Sequence, residues 1–315
     1  MRCIAITGVS GYIGTSLLAQ LESAPSVDRI IGIDLHPPSV PSPKLRFYAH
    51  DIVGPFDSIF ADEGVDAAVH LAFVVRPRQD RPKAERINIQ GTQNFLDASL
   101  HAGVRQAIYL SSHTVYGAHA DNPAPITEDS PLRPHRDFQY SWDKARSEAM
   151  FRDFASAHPE VAVAILRSCV VLGASPDSAV AHSLFQPVMI RVAGYNPPLQ
   201  FLHLYDLSSL ISAFLERKQR GVFNVAGDTP ITYRQLANLA GRRSLAVPAA
   251  LLRPIMGLTW KLHLQAQSPP DGLSFIMHPI VMSAEKLQRA GYALQRTSKE
   301  AVTAYLASTL GPKQV

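Results

Sequence analysis

A glycine-rich turn near the start of the chain constrains the fold more than any other stretch. Residues 7–14 read TGVSGYIG, directly after the apolar run CIAI and at the start of a segment whose pattern predicts a helix. Gly8, Gly11 and Gly14 permit a tight turn, close approach of a pyrophosphate and close packing of the helix on the sheet. The positive end of the helix dipole favours an anion at the same place. The turn therefore predicts a dinucleotide site at the edge of a parallel sheet.

The first half of the chain alternates short apolar, β-branched runs with longer amphipathic segments. This alternation is typical of parallel strands joined by crossover helices. Strands are predicted at residues 3–8, 29–34, 45–51, 66–72, 106–112 and 161–168, and helices at residues 12–23, 84–102 and 139–157. We therefore predict an α/β fold with a Rossmann-type doubly wound parallel sheet.

The alternation of strand-like and helix-like segments breaks down after residue 168, where prolines become frequent and the strand-like runs become irregular. We predict a smaller C-terminal substrate-binding lobe in this part of the chain. Two segments are expected to return to the sheet, a helix that starts at Asp206 and a strand at residues 221–227. The predicted division is a dinucleotide-binding Rossmann domain at 1–168, joined by 202–227, and a lobe formed mainly by 169–201 and 228–315.

Acidic and apolar residues follow the predicted strands at the edge where parallel sheets bind ligands. Asp34 ends the second strand, where a carboxylate can accept hydrogen bonds from an adenosine ribose. The next residues are LHPP, without an arginine to receive a 2'-phosphate, so the predicted cofactor is NAD. Asp51, which ends the third run, can either reach the adenine amine or cap a turn. Residues 71–73 lie at the corresponding end of the fourth run.

Tyr140 and Lys144 lie four residues apart in a segment predicted to be helical, so they share one face of the helix. A free phenol has a pKa of about 10, and a nearby ammonium favours the phenolate. Ser112 ends the neighbouring predicted strand, where its hydroxyl can hold a substrate oxygen. The three residues predict a site at which Tyr140 transfers a proton while a nicotinamide transfers a hydride.

Composition and charge argue against several other classes of protein. Thirty basic and 26 acidic residues give a net charge of +4, without the dense basic stripe and aromatic platforms of a nucleic-acid-binding protein. No uninterrupted apolar run reaches the roughly 18 residues of a membrane span, and no secretory signal precedes the first strand. Two distant cysteines, Cys3 and Cys169, and scattered histidines favour a reducing, cytoplasmic location and no metal site.

Two segments are nevertheless locally basic. Residues 76–86 carry five basic and two acidic side chains, and residues 229–270 carry five basic side chains and no acidic one. Each segment is either an ordinary solvated face or a site for the anionic group of a small-molecule substrate. The sequence leaves both interpretations open.

The sequence resembles the extended short-chain dehydrogenase/reductases, in particular the NAD-dependent epimerase/dehydratase family. The resemblance covers nearly the whole chain and rests on TGVSGYIG, HLA at 70–72, NIQGTQNFLDA at 88–98, YLSSHTVYG at 109–117, ITEDSPLRP at 126–134, YSWDK at 140–144, LRSCVVLG at 166–173, FLHLYDL at 201–207 and FNVAG at 223–227. It implies that Ser112, Tyr140 and Lys144 are catalytic and that Thr114 contacts the substrate. The cofactor residues that it implies are Gly8, Gly11, Tyr12, Ile13, Gly14, Asp34, Asp51, Ile52, Leu71, Ala72 and Phe73, together with Tyr140 and Lys144. It also implies a homodimer formed through helices 84–102 and 139–157.

The chain departs from the family pattern at positions that bear on the reaction. His113 and Thr114 stand where 4,6-dehydratases of the family carry an Asp-Glu pair, which disfavours dehydration. Trp142 and Asp143 replace the small residues common between the tyrosine and the lysine, and they are expected to affect packing only.

Other departures concern recognition of a nucleotide diphosphate. Val170 and Leu199 occupy two positions at which sugar-nucleotide epimerases usually carry an asparagine and a basic residue. An apolar side chain cannot donate a hydrogen bond to a phosphate. Arg76, Arg78 and Arg81, on the loop after the fourth strand, are the predicted alternative contacts for an anionic substrate.

Three functions are compatible with these observations. The first is an epimerase-type enzyme with a sugar-like substrate, which oxidises a secondary alcohol and returns the hydride to the other face of the ketone without releasing NAD. The second is a dehydrogenase or carbonyl reductase that exchanges NAD(P) at each turnover and acts on a less polar hydroxy or keto substrate. The third, a non-enzymatic NAD-binding regulator, has no need to keep Ser112, Tyr140 and Lys144.

Overall fold

The computed structural model describes residues 2–75, 80–173, 184–264 and 268–310 of the chain. The strands are β1 Arg2–Thr7, β2 Val27–Asp34, β3 Leu45–Ala49, β4 Ala67–His70, β5 Gln106–Ser112, β6 Ala162–Ser168, β7 Val170–Leu172, β8 Val188–Val192, β9 Pro198–Leu199, β10 Phe201–His203, β11 Gly221–Val225, β12 Ile231–Thr232 and β13 Arg243–Val247. The α-helices are α1 Tyr12–Glu22, α2 Asp57–Asp62, α3 Arg81–Glu85, α4 Gly91–His101, α5 Gln139–Ala157, α6 Leu204–Arg217, α7 Tyr233–Leu239, α8 Ala249–Lys261, α9 Glu285–Arg289 and α10 Ser298–Leu310. A π-helical turn spans Arg86–Gln90, and 3-10 turns span His113–Tyr116 and Pro270–Ile276.

A seven-stranded parallel sheet with the order β3-β2-β1-β4-β5-β6-β11 forms the centre of the described structure. The chain builds outwards from β1 to β3 on one side and from β4 to β11 on the other. The strand order therefore reverses between β1 and β4, where Thr7 is paired with His70. In open parallel sheets the crevice at the carboxyl ends of two such strands is the place where ligands bind. The predicted Rossmann-type α/β fold is confirmed.

Helices cover both faces of this sheet, because the strands bury apolar side chains on both sides. One face packs against α1 and α6 through residues such as Ile4, Leu17 and Phe214. The other packs against α2, α4 and α5, where Phe95 and Phe151 are fully buried. Each of these helices thus buries one apolar stripe against the sheet. The loops that form the site lie at the carboxyl edge of the strands.

Several element boundaries differ from those predicted. The segment predicted as one helix at 84–102 is divided into α3, the π-helical turn and α4, and the turn directs Asn88 into the interior. The third strand ends at Ala49, two residues before its predicted end. The short helix α2 was not predicted, because six residues are too few for a periodic pattern to stand out.

The remaining strands and helices form smaller layers beside the sheet. The pairs β7 with β10, β8 with β13, and β9 with β12 surround an apolar cluster that includes Phe201, Ile231, Leu236 and Val302. The strand β11 pairs with β6, and α6 packs on α1, where Ser16 Oγ donates a hydrogen bond of 3.0 Å to Ser208 Oγ. The division of the chain into a nucleotide domain and a substrate lobe stays a prediction. None of the described helices is long and apolar enough to span a membrane.

A fully buried ion pair joins α5 to the sheet. Glu148 and Arg167 are each completely shielded from solvent, and Arg167 Nη2 lies 2.6 Å from Glu148 Oε1. Ser111 Oγ donates a hydrogen bond of 2.7 Å to the other carboxylate oxygen, Glu148 Oε2. Arg167 Nη1 also donates to the hydroxyl of Tyr116. The pair therefore fixes α5, which carries Tyr140 and Lys144, against the end of β5.

Replacing one member of this pair is expected to destabilise the protein strongly. Glu148→Gln leaves the Arg167 charge buried without its counterion, and removing one partner of a buried pair costs about 3–5 kcal/mol. The free energy of unfolding would be measured by urea denaturation. Glu285→Gln is the matched control, because Glu285 pairs with Arg289 on the surface, where such pairs contribute about 0–1 kcal/mol. Equal losses for the two variants would contradict the expected role of burial.

Candidate active site

The glycine turn is sterically fixed at the carboxyl end of β1. Gly8 has a φ of +75°, and a β-carbon there would lie 2.6 Å from the backbone nitrogen of Ala72. A β-carbon on Gly14 would lie 2.1 Å from the carbonyl oxygen of Gly8. Gly11 caps α1 and donates its N–H to the Gly8 carbonyl at 3.1 Å. Contacts of this kind bring the first turn against the loop after β4 and leave no room for side chains.

The surroundings of this turn fit an NAD dinucleotide. Among the described residues no side chain caps the first N–H groups of α1, so these donors point at the crevice. Asp34 accepts hydrogen bonds from the backbone of Ser10 at 3.0 Å and of Leu35 at 2.7 Å, which holds its carboxylate beside the turn. A pyrophosphate suits the helix end, and a ribose suits the carboxylate.

Tyr12 and Ile13 begin α1 and lie between Gly11 and Gly14 in the sequence. Ile13 is partly buried against the core. The hydroxyl of Tyr12 is buried and has no hydrogen-bond partner within the described part of the chain. Burial also raises the pKa of Tyr12 far above its usual value. The neutral phenol lies against Gly173, where an added β-carbon would be 2.7 Å from the hydroxyl oxygen.

The remaining residues predicted to contact the cofactor lie in the loops after β3 and β4. Asp51 is exposed and accepts a hydrogen bond of 3.0 Å from the backbone of Val53, while Ile52 is buried under the close approach of Gly91. Leu71, Ala72 and Phe73 follow β4 directly and are partly buried. Both loops are therefore at the carboxyl edge of the sheet, on opposite sides of β1.

The structure brings Ser112 and Tyr140 together beside this crevice. Ser112 ends β5 and is buried, and its Oγ accepts hydrogen bonds from the backbone N–H of Thr114 at 3.2 Å and from Thr114 Oγ1 at 3.1 Å. Tyr140 lies in the first turn of α5. Burial raises the pKa of Tyr140, and a hydrogen bond with Ser112 opposes that increase. The serine and the phenol thus face one another, as their predicted roles require.

Lys144 lies one turn further along α5, where aromatic rings surround its ammonium group. Its Nζ donates a hydrogen bond of 2.6 Å to the carbonyl oxygen of Leu110 and is 3.7 Å from the centre of the Phe73 ring. The distance from Nζ to the centre of the Tyr140 ring is 6.0 Å. Burial lowers the pKa of Lys144 to about 7, and the charge of Glu148 opposes that decrease. The rings favour the charged form, since a cation over an aromatic face is stabilised.

Two buried polar residues support this arrangement and were not predicted. Asn88 Nδ2 donates a hydrogen bond of 3.0 Å to Asp143 Oδ2, and Asn88 Oδ1 accepts one of 2.8 Å from the backbone of Val74. The expectation that Asp143 affects packing only was therefore incomplete, because its carboxylate anchors the loop that carries Phe73. Asp143, a polar residue between Tyr140 and Lys144, was the sequence signal for this contact. Its partner Asn88 lies 55 positions away, so the sequence did not reveal the pair.

The predicted substrate residues are placed only in part. Thr114 is buried and hydrogen-bonded to Ser112, next to Tyr140. Arg76 and Arg78 lie outside the described residues. Arg81 starts α3 and donates a hydrogen bond of 3.0 Å to the carbonyl oxygen of Arg136, a few residues before Tyr140. The basic loop after β4 therefore ends close to the start of α5.

Apolar side chains of the smaller layers pack on one another, and one series of ring contacts reaches Tyr140. Val170 and Leu199 both pack against the cluster around Phe201 and Ile231, so they lie on one side of the same region. Phe275, in the 3-10 turn of 270–276, packs on Phe138 with ring centres 4.9 Å apart. Phe138 in turn lies edge-on to Tyr140, at 6.3 Å between ring centres.

Within the described residues, no group of three or more His, Cys, Asp or Glu side chains could hold a metal ion.

The fold and this edge of the sheet define a dinucleotide-binding α/β oxidoreductase. Residues 4–226 match the model of the NAD dependent epimerase/dehydratase family, and the chain belongs to that family. Its cofactor is accordingly NAD, and its general activity is that of an NAD-dependent enzyme of the epimerase/dehydratase type.

Individual relatives are more distant. An uncharacterized protein of Mycobacterium tuberculosis is 26% identical over 313 residues, covering 96% of this chain and 83% of the relative. The UDP-glucose 4-epimerase of Azospirillum brasilense is 31% identical over 212 residues, covering 62% of this chain and 58% of that protein. Among solved structures, the Thermus thermophilus UDP-glucose 4-epimerase with NAD matches with a TM-score of 0.78 and 18% identity, covering 99% of this chain and 100% of that one. A structural match at 18% identity is evidence for the fold alone.

Discrimination against NADPH is the expected consequence of the Asp34 carboxylate. A 2'-phosphate on the adenosine ribose would place like charges about 4 Å apart, which costs roughly 4 kcal/mol at an effective dielectric of about 20. Because Asp34 is partly exposed, solvent reduces this penalty, and we expect NADH to bind at least about tenfold more tightly. Fluorescence titration with both nucleotides measures the ratio. Asp34→Asn should narrow it, and equal affinities in the unmodified protein would contradict the prediction.

Proposed function

We propose that this protein is an NAD-dependent, epimerase-type oxidoreductase that acts at a secondary alcohol or ketone carbon of a sugar-like substrate. The observation that carries the proposal is the juxtaposition of Ser112 and Tyr140 near Lys144 at the carboxyl end of β5, the strand next to β4. A proton-transfer group and a hydrogen-bond donor for the same substrate oxygen are the minimum that such a reaction requires. The match to relatives named UDP-glucose 4-epimerase supports the epimerase branch.

The residues that would hold NAD surround the crevice between β1 and β4. The uncapped start of α1, with Gly8, Gly11 and Gly14, suits the pyrophosphate, and Asp34 suits the adenosine ribose. The other proposed contacts are Tyr12, Ile13, Asp51, Ile52, Leu71, Ala72, Phe73, Tyr140 and Lys144. When bound, NAD supplies a nicotinamide that accepts a hydride from the substrate carbon and returns it.

Each residue of the predicted catalytic set has a distinct task. The Ser112 hydroxyl binds the substrate oxygen and orients it towards the phenol. As the carbon gives up its hydride, Tyr140 takes the proton from the hydroxyl, and it gives the proton back when the ketone is reduced. The protonated form of Lys144 places a positive charge 6.0 Å from the centre of the Tyr140 ring, which favours the phenolate against the effect of burial. Thr114 keeps the serine hydroxyl in place by hydrogen bonding.

A dehydrogenase or carbonyl reductase that exchanges its cofactor is the second candidate. The apolar character of Val170 and Leu199, together with the Phe275 and Phe138 contacts near Tyr140, favours a less polar hydroxy or keto substrate. A regulator that binds NAD without chemistry is the least favoured function. Such a protein has no need for a buried lysine beside a tyrosine that contacts a serine.

The nucleotide released on denaturation distinguishes the first two candidates. Purified protein would be denatured with acid, and NAD and NADH in the supernatant would be quantified against protein. Release of about one nucleotide per chain supports the epimerase, and an empty protein that binds added NADH reversibly supports the exchanging dehydrogenase. Absence of bound nucleotide together with no NADH binding would refute both.

We also propose that two copies associate through the helical layer formed by α4 and α5. The proposal rests on the resemblance to relatives that dimerise through the corresponding pair of helices. Light scattering of the purified protein measures the mass. A monomeric mass at micromolar concentration would contradict this assembly.

A further inference from the structure

Helix α8 exposes an apolar face that the described part of the chain does not cover. Leu251, Ile255, Leu258 and Leu262 are 56%, 55%, 59% and 55% exposed, and their spacing places them along one side of the helix. Another side of the helix packs against the rest of the protein, since Leu252 is buried against Leu273 and Met277. A helix that is apolar all round is normally buried. Here only one side is packed.

The exposed apolar area continues beyond both ends of the helix. Leu264, just after α8, is 72% exposed. Leu245 on β13 and its neighbour Ile190 on β8 are about half exposed and paired in register, shortly before the helix begins. Isolated exposed apolar residues are common, but a cluster of this kind marks an interaction surface.

Positive charges accompany this surface. Arg243, Arg253 and Lys261 are exposed, and within the described residues no acidic side chain forms an ion pair with them. The chain has no Asp or Glu between residues 229 and 270. The segment therefore has a positive net charge, which an anionic partner complements; Asp271, in the 3-10 turn that packs on α8, is the acidic residue nearest to the helix in the sequence.

We propose that α8 and the adjoining residues bind the surface of an anionic membrane. A helix with a continuous apolar side flanked by basic residues lies in the plane of the interface, with the apolar side among the acyl chains and the basic groups at anionic headgroups. Helix α8 has 13 residues and cannot span a bilayer, so it lies along the surface. We call the set Leu251, Ile255, Leu258, Lys261 and Leu262 the membrane face, with Lys261 at its edge; Arg253, two residues from both Leu251 and Ile255, lies on another side of the helix.

Charge argues against a second copy as the occupant. A symmetric dimer would place this face against itself, so Lys261 would approach the same basic surface of the partner without an acidic side chain of the face to compensate. The expected dimer uses α4 and α5 instead. Membrane binding and that dimer are therefore compatible.

Vesicle sedimentation with the full chain tests the proposal. Wild-type protein is mixed with vesicles of phosphatidylcholine alone or of phosphatidylcholine with phosphatidylglycerol, at low salt and at about 1 M salt, where the Debye length is about 3 Å. We expect binding to the anionic vesicles only, with a large loss at high salt. Failure to bind anionic vesicles at low salt would overturn the proposal.

Two variants separate the apolar and electrostatic contributions. Ile255→Glu with Leu258→Glu should reduce partitioning on the order of 100-fold, because two apolar side chains no longer enter the bilayer. Arg243→Gln with Lys261→Gln should reduce partitioning roughly 25-fold, about fivefold for each charge. All four positions are exposed, so both variants are expected to keep the wild-type circular dichroism and NADH affinity.

The matched control places two glutamates on another helix. Thr303→Glu with Ala307→Glu adds the same charge to the exposed side of α10 and should change partitioning by less than the membrane-face variants. Equal losses for the two glutamate pairs would show that net charge alone governs binding and would overturn the assignment to α8. The wild-type protein could instead be a dimer that does not bind vesicles and that dissociates when Ile255 and Leu258 are replaced. That result would assign the face to a second copy of the chain.

Discussion

Tyr140→Phe is expected to lower turnover by about 10²–10⁴-fold, the usual contribution of a general acid or base. The substitution removes the hydroxyl that exchanges the proton and keeps the ring, which packs edge-on to Phe73 and Phe138 at 5.8 and 6.3 Å. Folding and NADH affinity should therefore be unchanged. The single-turnover rate of hydride transfer, followed by the absorbance of the reduced nicotinamide, measures the effect.

Two comparisons make this result specific. Tyr205→Phe removes a phenolic hydroxyl from an exposed position and should leave turnover within about twofold, as is usual for a surface substitution away from the site. Lys144→Ala should slow the reaction and also shift the acidic limb of the pH-rate profile to higher pH, because the phenol loses the cation that favours its ionised form. Near-normal turnover of the Tyr140 variant would refute the assigned mechanism.

UDP-hexoses are expected to be poor substrates, although related proteins are named UDP-glucose 4-epimerase. Val170 and Leu199 supply no hydrogen bond to a diphosphate, and a charge-assisted hydrogen bond contributes roughly 1.5–3 kcal/mol. Loss of two such bonds lowers affinity by about two to four orders of magnitude, at 1.4 kcal/mol per tenfold. Interconversion of UDP-glucose and UDP-galactose, with calorimetric titration of UDP, measures both quantities.

The arginines around the loop after β4 provide the test that could reverse this expectation. Arg81 lies near the start of α5, and Arg76 and Arg78 precede it in the sequence. Micromolar UDP binding that disappears when all three are changed to glutamine would restore a sugar nucleotide as the substrate. As a positive control, Val170→Asn should strengthen UDP binding if the missing donor is the reason for weak binding.

The sequence determined the features that depend on neighbouring residues. The glycine turn could be predicted because Gly8 has a positive φ and Gly14 packs on the Gly8 carbonyl, both within one strand-turn-helix unit. Asp34 could be predicted because it ends the strand paired with β1, and the carboxyl ends of parallel strands meet at one edge. The spacing of Tyr140 and Lys144 by itself places them on one helical face. Alternation of strands and helices fixed the class of fold for the same local reason.

Contacts between distant parts of the chain could be decided only by the tertiary structure. Asn88 with Asp143, Glu148 with Arg167, and Lys144 beneath Phe73 each join residues from different elements, so no local pattern reveals them. The sequence of α8 shows apolar residues on all sides, which normally indicates a buried helix. Which side is buried depends on what the rest of the chain places against it. The fold covers Leu252 and leaves Leu251, Ile255 and Leu258 in solvent, because the packed cluster of Leu273 and Met277 occupies one side of the helix.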